Sequence, residues 1–431
     1  MNPSTLTSRA LTIILSFSPI VLLLLGSCYE LRAGDWPQIL GPQRSGQAMD
    51  ERPLASSWDA TSPKLLWRVA VNSGYAGAVV SAGHAYLFDR DPQNERLTSV
   101  DLKTGKQQWQ AKWPATYSSS MDPDSGPRAV PTVAQNMIVC YGAAGDLVCV
   151  ESSNGKIVWA RPLRKELVAD DGYFGAGSSP LVIDGVVVAN IGGKKGGIVG
   201  VDLKSGKTLW QATDYEASYS SPVAVKTDGQ SAALVVTRLH TVLLDPKSGK
   251  VFSEISFGGR GPTVNAATPL KVDDNLYLLT ASYNIGAHLL RIRGTQLERV
   301  WKNTDLLASQ YNSPVLIGDI VVGVNGREDL GEVVLKGLQI NQQSVNWQEP
   351  LTGTTHLIAV GDQLLQVVIN GNVRLSRVTA KGVETTAEFA LPQTNQPPSA
   401  YRALPALSDH ILIVRRTQDA THGEFIAYQL P

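Results

Sequence analysis

The chain lacks most of the groupings on which enzyme classes depend. Its 431 residues include only three cysteines, Cys28, Cys140 and Cys149, and no two are adjacent. Six histidines are scattered, with His84 and His410 in short turns and His240 and His288 near longer connections, so none is paired at metal-ligand spacing. There is no Gly-x-Ser-x-Gly elbow and no His-Glu-x-x-His helix. Ser205-Gly206-Lys207-Thr208 resembles the end of a phosphate-binding loop, but Gly200 stands one residue too far upstream and the context is a β-turn. Asp122-Pro123-Asp124-Ser125-Gly126 resembles the start of a calcium loop and lacks its distal Glu. Charge of one sign is missing too: 38 basic residues balance 38 acidic ones. That balance gives no electrostatic reason to expect nucleic acid as a partner. Long helix-period apolar patterns are absent after the N-terminus. Short apolar and β-branched runs, punctuated by Gly, Asp, Asn and Pro, indicate an all-β protein.

The N-terminus is the exception. Arg9 precedes an apolar stretch from Ala10 to Gly26, densest at Leu22 to Leu25 and interrupted by Pro19. This is the layout of an export signal, and it is short for a membrane span of roughly 20 residues. Residues 1–27 are assigned to that signal. Leu25-Gly26-Ser27-Cys28 resembles a lipobox, in which Cys28 would carry lipid. Cleavage after Leu31-Arg32-Ala33 would instead release an exported protein without an anchor, and an uncleaved anchor is the third reading. The expected location is the periplasm or an envelope membrane surface, with membrane contact only through a lipid anchor.

What the chain has in abundance is a repeat. Val100-Asp101-Leu102-Lys103-Thr104-Gly105-Lys106-Gln107-Gln108-Trp109 returns with Gly155 and Trp159, and again with Asp202, Gly206 and Trp210. Decayed copies contain Gly249, Trp301, Trp347 and Ala380-Lys381-Gly382. Each reads as a hairpin: Asp bonds the turn, Gly supplies a positive φ, and Trp offers a large apolar surface for sheet packing. A second phrase lies upstream, as in Ser178-Ser179-Pro180, Ser220-Ser221-Pro222, Ala267-Thr268-Pro269 and Asn312-Ser313-Pro314. It opens a strand, so one period holds four antiparallel strands, A to D in chain order. Trp or its equivalent falls at 67, 109, 159, 210, 253, 301, 347 and 386, a spacing of 39 to 51 residues. Such a period predicts a β-propeller. The 65–69 stretch around Trp67 is a Trp strand with no repeat before it, and 424–428 is a third strand with none after it. Joined, they complete one blade. Residues 62–431 are therefore expected to form an eight-bladed propeller closed by its two chain ends, with 28–61 as an extension packing on it.

The Asp-x-x-Thr/Ser-Gly-Lys-x-x-Trp phrase resembles the PQQ repeat of quinoprotein dehydrogenases and of the outer-membrane assembly lipoprotein BamB. Asp35-Trp36-Pro37-Gln38-Ile39-Leu40-Gly41-Pro42-Gln43-Arg44-Ser45-Gly46 resembles the N-terminal signature of exported bacterial PQQ-binding-like propeller proteins, and the likeness runs over residues 35–431. The dehydrogenase resemblance implies adjacent cysteines over the quinone, a Glu/Asn/Asp set on calcium and a catalytic Asp. This chain has no adjacent cysteines, and no calcium set or catalytic Asp maps onto it. The expectation is a non-enzymatic monomer without metal or PQQ, binding a protein or peptide of the cell envelope. A quinone-binding redox enzyme using the central channel is the alternative.

Loop lengths locate the expected site. A–B turns are short, whereas blade-to-blade loops are long at 113–128, 162–177, 303–311 and 392–402. Binding residues concentrate on such loops. The rim candidates are Arg128, Tyr173, Phe174, Tyr219, Asn265, Tyr311, His356, Tyr401 and Arg402. Arg128 and Arg402 each precede a repeat proline by three residues, which would put two guanidinium forks at one rim, suited to a carboxylate. The competing reading is that the aromatics wedge between blades and each Arg holds its own loop. Cys140 and Cys149 flank Ala143-Ala144-Gly145-Asp146, a spacing that would set them opposite each other as either a disulfide or two buried thiols. For the N-terminus, the expected outcome is export with loss of the apolar stretch. Mass spectrometry of the mature chain distinguishes a lipidated Cys28 from a free Gly34 start, and with lipidation Cys28→Ala releases the protein from membranes.

Overall fold

The computed structural model describes residues 1, 34–49, 51–59, 62–170, 172–393 and 400–431. The expected export signal, its expected cleavage sites and Cys28 lie outside the described residues. The described strands form eight four-stranded antiparallel sheets, a β-propeller of eight blades. Blades 1 to 7 span 79–114, 132–161, 181–212, 223–256, 270–303, 315–350 and 355–390. Blade 8 takes Ala406–Ser408, Ile411–Thr417 and His422–Gln429 from the C-terminus, and Lys64–Asn72 as its D strand. Trp67 pairs with Ala427 and Val69 with Phe425. The expected closure is thus present, with the 65–69 stretch beside 424–428, and no sheet edge is left open at the join among the described residues.

The repeat residues explain how the blades stack. Trp67, Trp109, Trp159 and Trp210 each lie on the Gly of the next blade's C–D turn; a Cβ on Gly155 would stand 2.5 Å from the Trp109 ring. These turn glycines have φ near +70°, and Gly155 has φ +76°, so their positions are set both by backbone conformation and by the indole above. Each indole N–H also donates to a turn carbonyl, Trp67 to Leu102 at 2.8 Å, Trp109 to Ser152 at 3.1 Å, Trp159 to Leu203 at 2.8 Å and Trp210 to Pro246 at 2.9 Å. Within the turn the Asp101 carboxylate accepts the Thr104 N–H at 2.8 Å. All eight C–D ladders carry a register shift just before the Trp position. Such bulges increase local twist. In blade 4 the position is Ser253, paired with Leu243, whose hydroxyl accepts the Leu297 N–H at 3.1 Å. In blade 7 the register places Ala387 there, one residue beyond the expected 386. Blade 8 has no C–D turn for an indole to rest on, because its last two strands come from opposite chain ends. Trp58 packs at this seam instead, edge-on to Phe389 at 5.7 Å, and Phe389 is edge-on to Tyr428 at 5.1 Å.

The Ser-Pro phrase has a separate task. The hydroxyl before the proline accepts a backbone N–H from the preceding blade: Ser179 from Val130, Ser221 from Ser179 and Ser313 from Thr268, all at 2.9 Å. These bonds staple neighbouring A strands around the channel.

The segment from Gly34 to Asp59 straps the A–B turn end of the channel. Trp36 bridges to Val80 in blade 1, and Pro37 accepts the Val133 N–H in blade 2. Gln47 bridges to Ala359 in blade 7, and the Glu51 carboxylate accepts the His410 N–H in blade 8 at 3.2 Å. Between them, buried Arg44 donates to the Pro222 carbonyl at 2.7 Å, the Ser179 carbonyl and Thr132 hydroxyl at 3.2 Å each, and the Pro180 carbonyl. One guanidinium thereby ties the A strands of three blades.

Of the two readings of Cys140 and Cys149, the buried thiols hold, and the expectation that the two face each other is corrected. The cysteines are free and buried, and Cys149 faces Val139 while Cys140 faces Val148. The loop is Gly142 to Asp146, one residue longer than expected, closed by the Gly142 N–H to Asp146 carbonyl bond at 2.9 Å. A one-residue shift sends neighbouring side chains to opposite faces. Cys140 packs between blades 1 and 2, and Cys149 between blades 2 and 3.

Gly142 also makes room for Glu95, whose carboxylate would lie 2.0 Å from a Cβ there. Buried between blades 1 and 2, Glu95 accepts the Ala143 N–H at 2.8 Å and the Trp113 indole N–H at 3.0 Å. Burial, with a smaller contribution from Asp146, pushes its carboxyl up to about 7 despite these bonds and Arg90. A carboxyl raised in the folded state contributes stability below its unfolded pKa of about 4.3, and loses it as pH rises through the folded value. Melting of the wild type should therefore decline between about pH 4.3 and 7 relative to Glu95→Gln. A wild-type melting temperature that holds steady or rises relative to Glu95→Gln over that window would contradict this assignment.

Candidate functional site

The long loops gather at the channel end opposite the strap and enclose a funnel of about 670 Å³. Its wall follows one repeat position. In six blades the residue three before the phrase proline is Arg128, Gly177, Tyr219, Ala266, Tyr311 or Arg402. Counting back from the A–B turns of blades 1 and 7 gives Tyr75 and Thr354. All eight line the funnel. Ile39 from the strap lies at its base, with Val130 and Leu404 on the wall.

One half of the mouth is polar. The Arg128 and Arg402 guanidiniums lie 5.5 and 5.8 Å from the ring centre of Tyr75. Arg402 donates to Glu328 at 2.8 Å, and the same carboxylate accepts the Tyr311 hydroxyl at 2.6 Å. Burial first, then Glu328, raises the Tyr311 hydroxyl well above the usual phenol range, so it stays a donor. Arg128 donates to the carbonyls of Gly126 at 2.5 Å and Asp124 at 2.6 Å, with Asp122 3.9 Å away. The Asp124 carboxylate accepts the Gly74 N–H at 2.8 Å and the Gly126 N–H at 2.7 Å. The 122–126 stretch therefore spends its acidic groups on shaping its own loop. Beneath Arg402, His356 is buried and bonds the Arg402 carbonyl at 2.9 Å. Burial pushes its imidazole down to about 4, so it is neutral and donates that bond through Nε2–H. The apolar lining comes from two sides: Phe174 and Tyr219, centred 6.1 Å apart, with Val264 at the entries to blades 3 to 5, and Leu351 and Ile369 at blade 7, between Tyr311 and Arg402.

Six of the nine expected rim residues line the funnel: Arg128, Phe174, Tyr219, Tyr311, His356 and Arg402. Tyr173 and Asn265 border an adjoining cavity of about 40 Å³. The Asn265 amide caps the carbonyls of Thr237 and Arg238 at 3.1 and 2.9 Å, a loop-holding role. Tyr401 is buried, its hydroxyl donating to the Pro392 carbonyl at 2.6 Å. Tyr75, Glu328 and Ile39 were not expected. Tyr75 could have been found by counting back from the turn at Ala82-Gly83, because blade 1 has no phrase proline. Glu328 sits in a B–C connection, where the repeat has no fixed length.

The architecture defines the class, a PQQ-type propeller. A family model described as outer membrane protein assembly factor BamB matches residues 47–125 and 93–340, and the chain belongs to that family. The outer membrane protein assembly factor BamB of Burkholderia pseudomallei (strain K96243) is 21% identical over 314 residues, covering 63% of this chain and 77% of that protein. Among solved structures, BamB from Moraxella catarrhalis has a TM-score of 0.58 at 13% identity, covering 85% of this chain and all of that one. A europium-containing methanol dehydrogenase has a TM-score of 0.68 at 10% identity, covering 92% of this chain and 98% of that one. At these identities the structural likeness establishes the fold alone.

The dehydrogenase fold raises the question of a quinone with its metal. The residues here do not fit that pair. Cys140 and Cys149 are separated by a sheet, Arg44 already occupies the channel carbonyls of Ser179, Pro180 and Pro222, and the carboxylates at the mouth are engaged by Arg402, Arg128 and backbone N–H groups. A metal ion would compete with a buried guanidinium for its ligands.

Arg402→Ala should lower stability by about 1–3 kcal/mol, because Glu328 and Tyr75 lose a partly buried partner. Thermal melting checks it: an unchanged melting temperature would show that the Arg402–Glu328 pair contributes nothing to holding the loops together.

Proposed function

We propose that this chain is a non-enzymatic binding propeller of the cell envelope, and that its long-loop face takes a protein partner. The observation that supports this reading is the asymmetry of the channel. One end is strapped by the chain's own N-terminal segment, and the other opens as a funnel framed by one repeat position from every blade. A rigid ring carrying variable residues at one fixed position is suited to recognition. The family relationship supports a protein partner, since the relatives are named for assembly at the outer membrane. We further propose that the protein is exported, acts as a monomer and needs no cofactor, with Cys28 as the candidate lipid anchor.

The test is site-specific photocrosslinking in intact envelopes. A photoreactive residue at Met121 or Thr352, by the funnel, should trap an envelope protein. The same residue at Asp319 or Asp362, on A–B turns, should not. Adducts formed only from the A–B turn positions, or from none, would sink the proposal. In parallel, the purified protein with added PQQ and calcium should reduce no dye in the presence of alcohols or sugars. Dye reduction requiring both additions would favour the redox alternative.

A further inference from the structure

We propose that the funnel is a socket for an aromatic side chain presented by the protein partner, held by apolar walls and not by charge. This deepens the binding reading above and rests on it. Two observations about charge carry the first part. The guanidinium of Arg402 is paired with Glu328, and that of Arg128 is bonded to the carbonyls of Asp124 and Gly126. At the outer edge Asp329 is paired with Arg327. A carboxylate or ammonium group entering the mouth would have to break one of these pairs, so the site offers no net electrostatic gain.

The walls favour an apolar occupant. Three of the eight ring positions are Gly177, Ala266 and Thr354, which leave width between the tyrosines. Below them lie Val130, Leu404 and Ile39. An aromatic ring entering here meets the faces and edges of Phe174, Tyr219 and Tyr311, contacts that aromatic groups favour beyond simple burial.

The rim indicates a macromolecule. Met121 is 63% exposed and Leu330 is 65% exposed. They adjoin Asp122 and Asp329, which line the funnel. A small ligand inside the funnel would leave both in water. A partner surface that inserts one anchor side chain would cover them, the usual arrangement of an apolar anchor inside a surrounding rim.

The test uses the purified mature chain and a fluorescein-labelled, end-blocked pentaglycine whose central residue is replaced by Trp, Ala, Glu or Lys, read by anisotropy. The Trp peptide should bind at least tenfold more tightly than the other three. Ala266→Phe, which fills the socket, should reduce Trp-peptide binding at least tenfold, and Asp319→Ser, on an A–B turn at the opposite end of the channel, should change it less than twofold. Thr352→Phe, on an exposed loop residue across the mouth, supplies the same blockade if the first variant melts early. Preferential binding of the Glu peptide would overturn the proposal in favour of an anion site at the arginines. Equal binding of all four peptides, or binding that survives both blockades, would overturn it as well. A positive crosslink from Met121 together with either of those results would leave the protein-binding reading intact and remove only the socket.

Discussion

Everything in this molecule depends on an indole resting on the turn of the next blade. The ring needs a blade-to-blade contact that is both apolar and directional. Trp67, Trp109, Trp159 and Trp210 supply it: each ring covers a glycine that could not carry a side chain, and each N–H finds a turn carbonyl. A buried Trp without such an acceptor would forfeit a hydrogen bond, and a turn without glycine would hold the indole off. The contact also sets the angle between blades. The hydroxyl staples near the channel and the indoles near the outside act at different radii, so the wedge shape of each blade is held from both ends.

That logic is why the fold was legible. The turn glycine and the Trp are written into every strong copy, and the orphan strands at Trp67 and Phe425 reveal the closure because pairing is local once the ring is assumed. Register was legible only where the turn length was known. The loop after Tyr141 holds five residues, and the extra one turns Cys140 from a facing partner of Cys149 into a neighbour on the other side of the sheet. The position assigned to Thr386 belongs to Ala387 for the same reason: in blade 7 Gly382 already pairs with Thr379 across a two-residue turn, so the count from that glycine runs one residue further.

The site was half legible. Residues tied to the proline phrase, such as Arg128, Tyr219, Tyr311 and Arg402, could be placed because the repeat carries their position. What those side chains do there was not available from spacing. Two arginines at one rim suggest an anion site until Glu328, from an unpatterned connection, is seen to hold one and loop carbonyls the other. Arg44 lies in a segment with no repeat, and only the assembled ring brings the carbonyls of Ser179, Pro180 and Pro222 within its reach.

The placement of Trp58 has a consequence for how the molecule is made. Blades 1 to 7 can form from consecutive stretches as they emerge. The last seam cannot, because it joins Trp58 and the Lys64–Asn72 strand to the end of the chain. The backbone N–H of Leu54 waits for the Gln363 side chain, 309 positions later. Contacts of such separation are slow to form. A chain still in synthesis therefore holds an incomplete ring, with an open blade edge and an uncovered indole. Its first folded residues are among the last to find their partners.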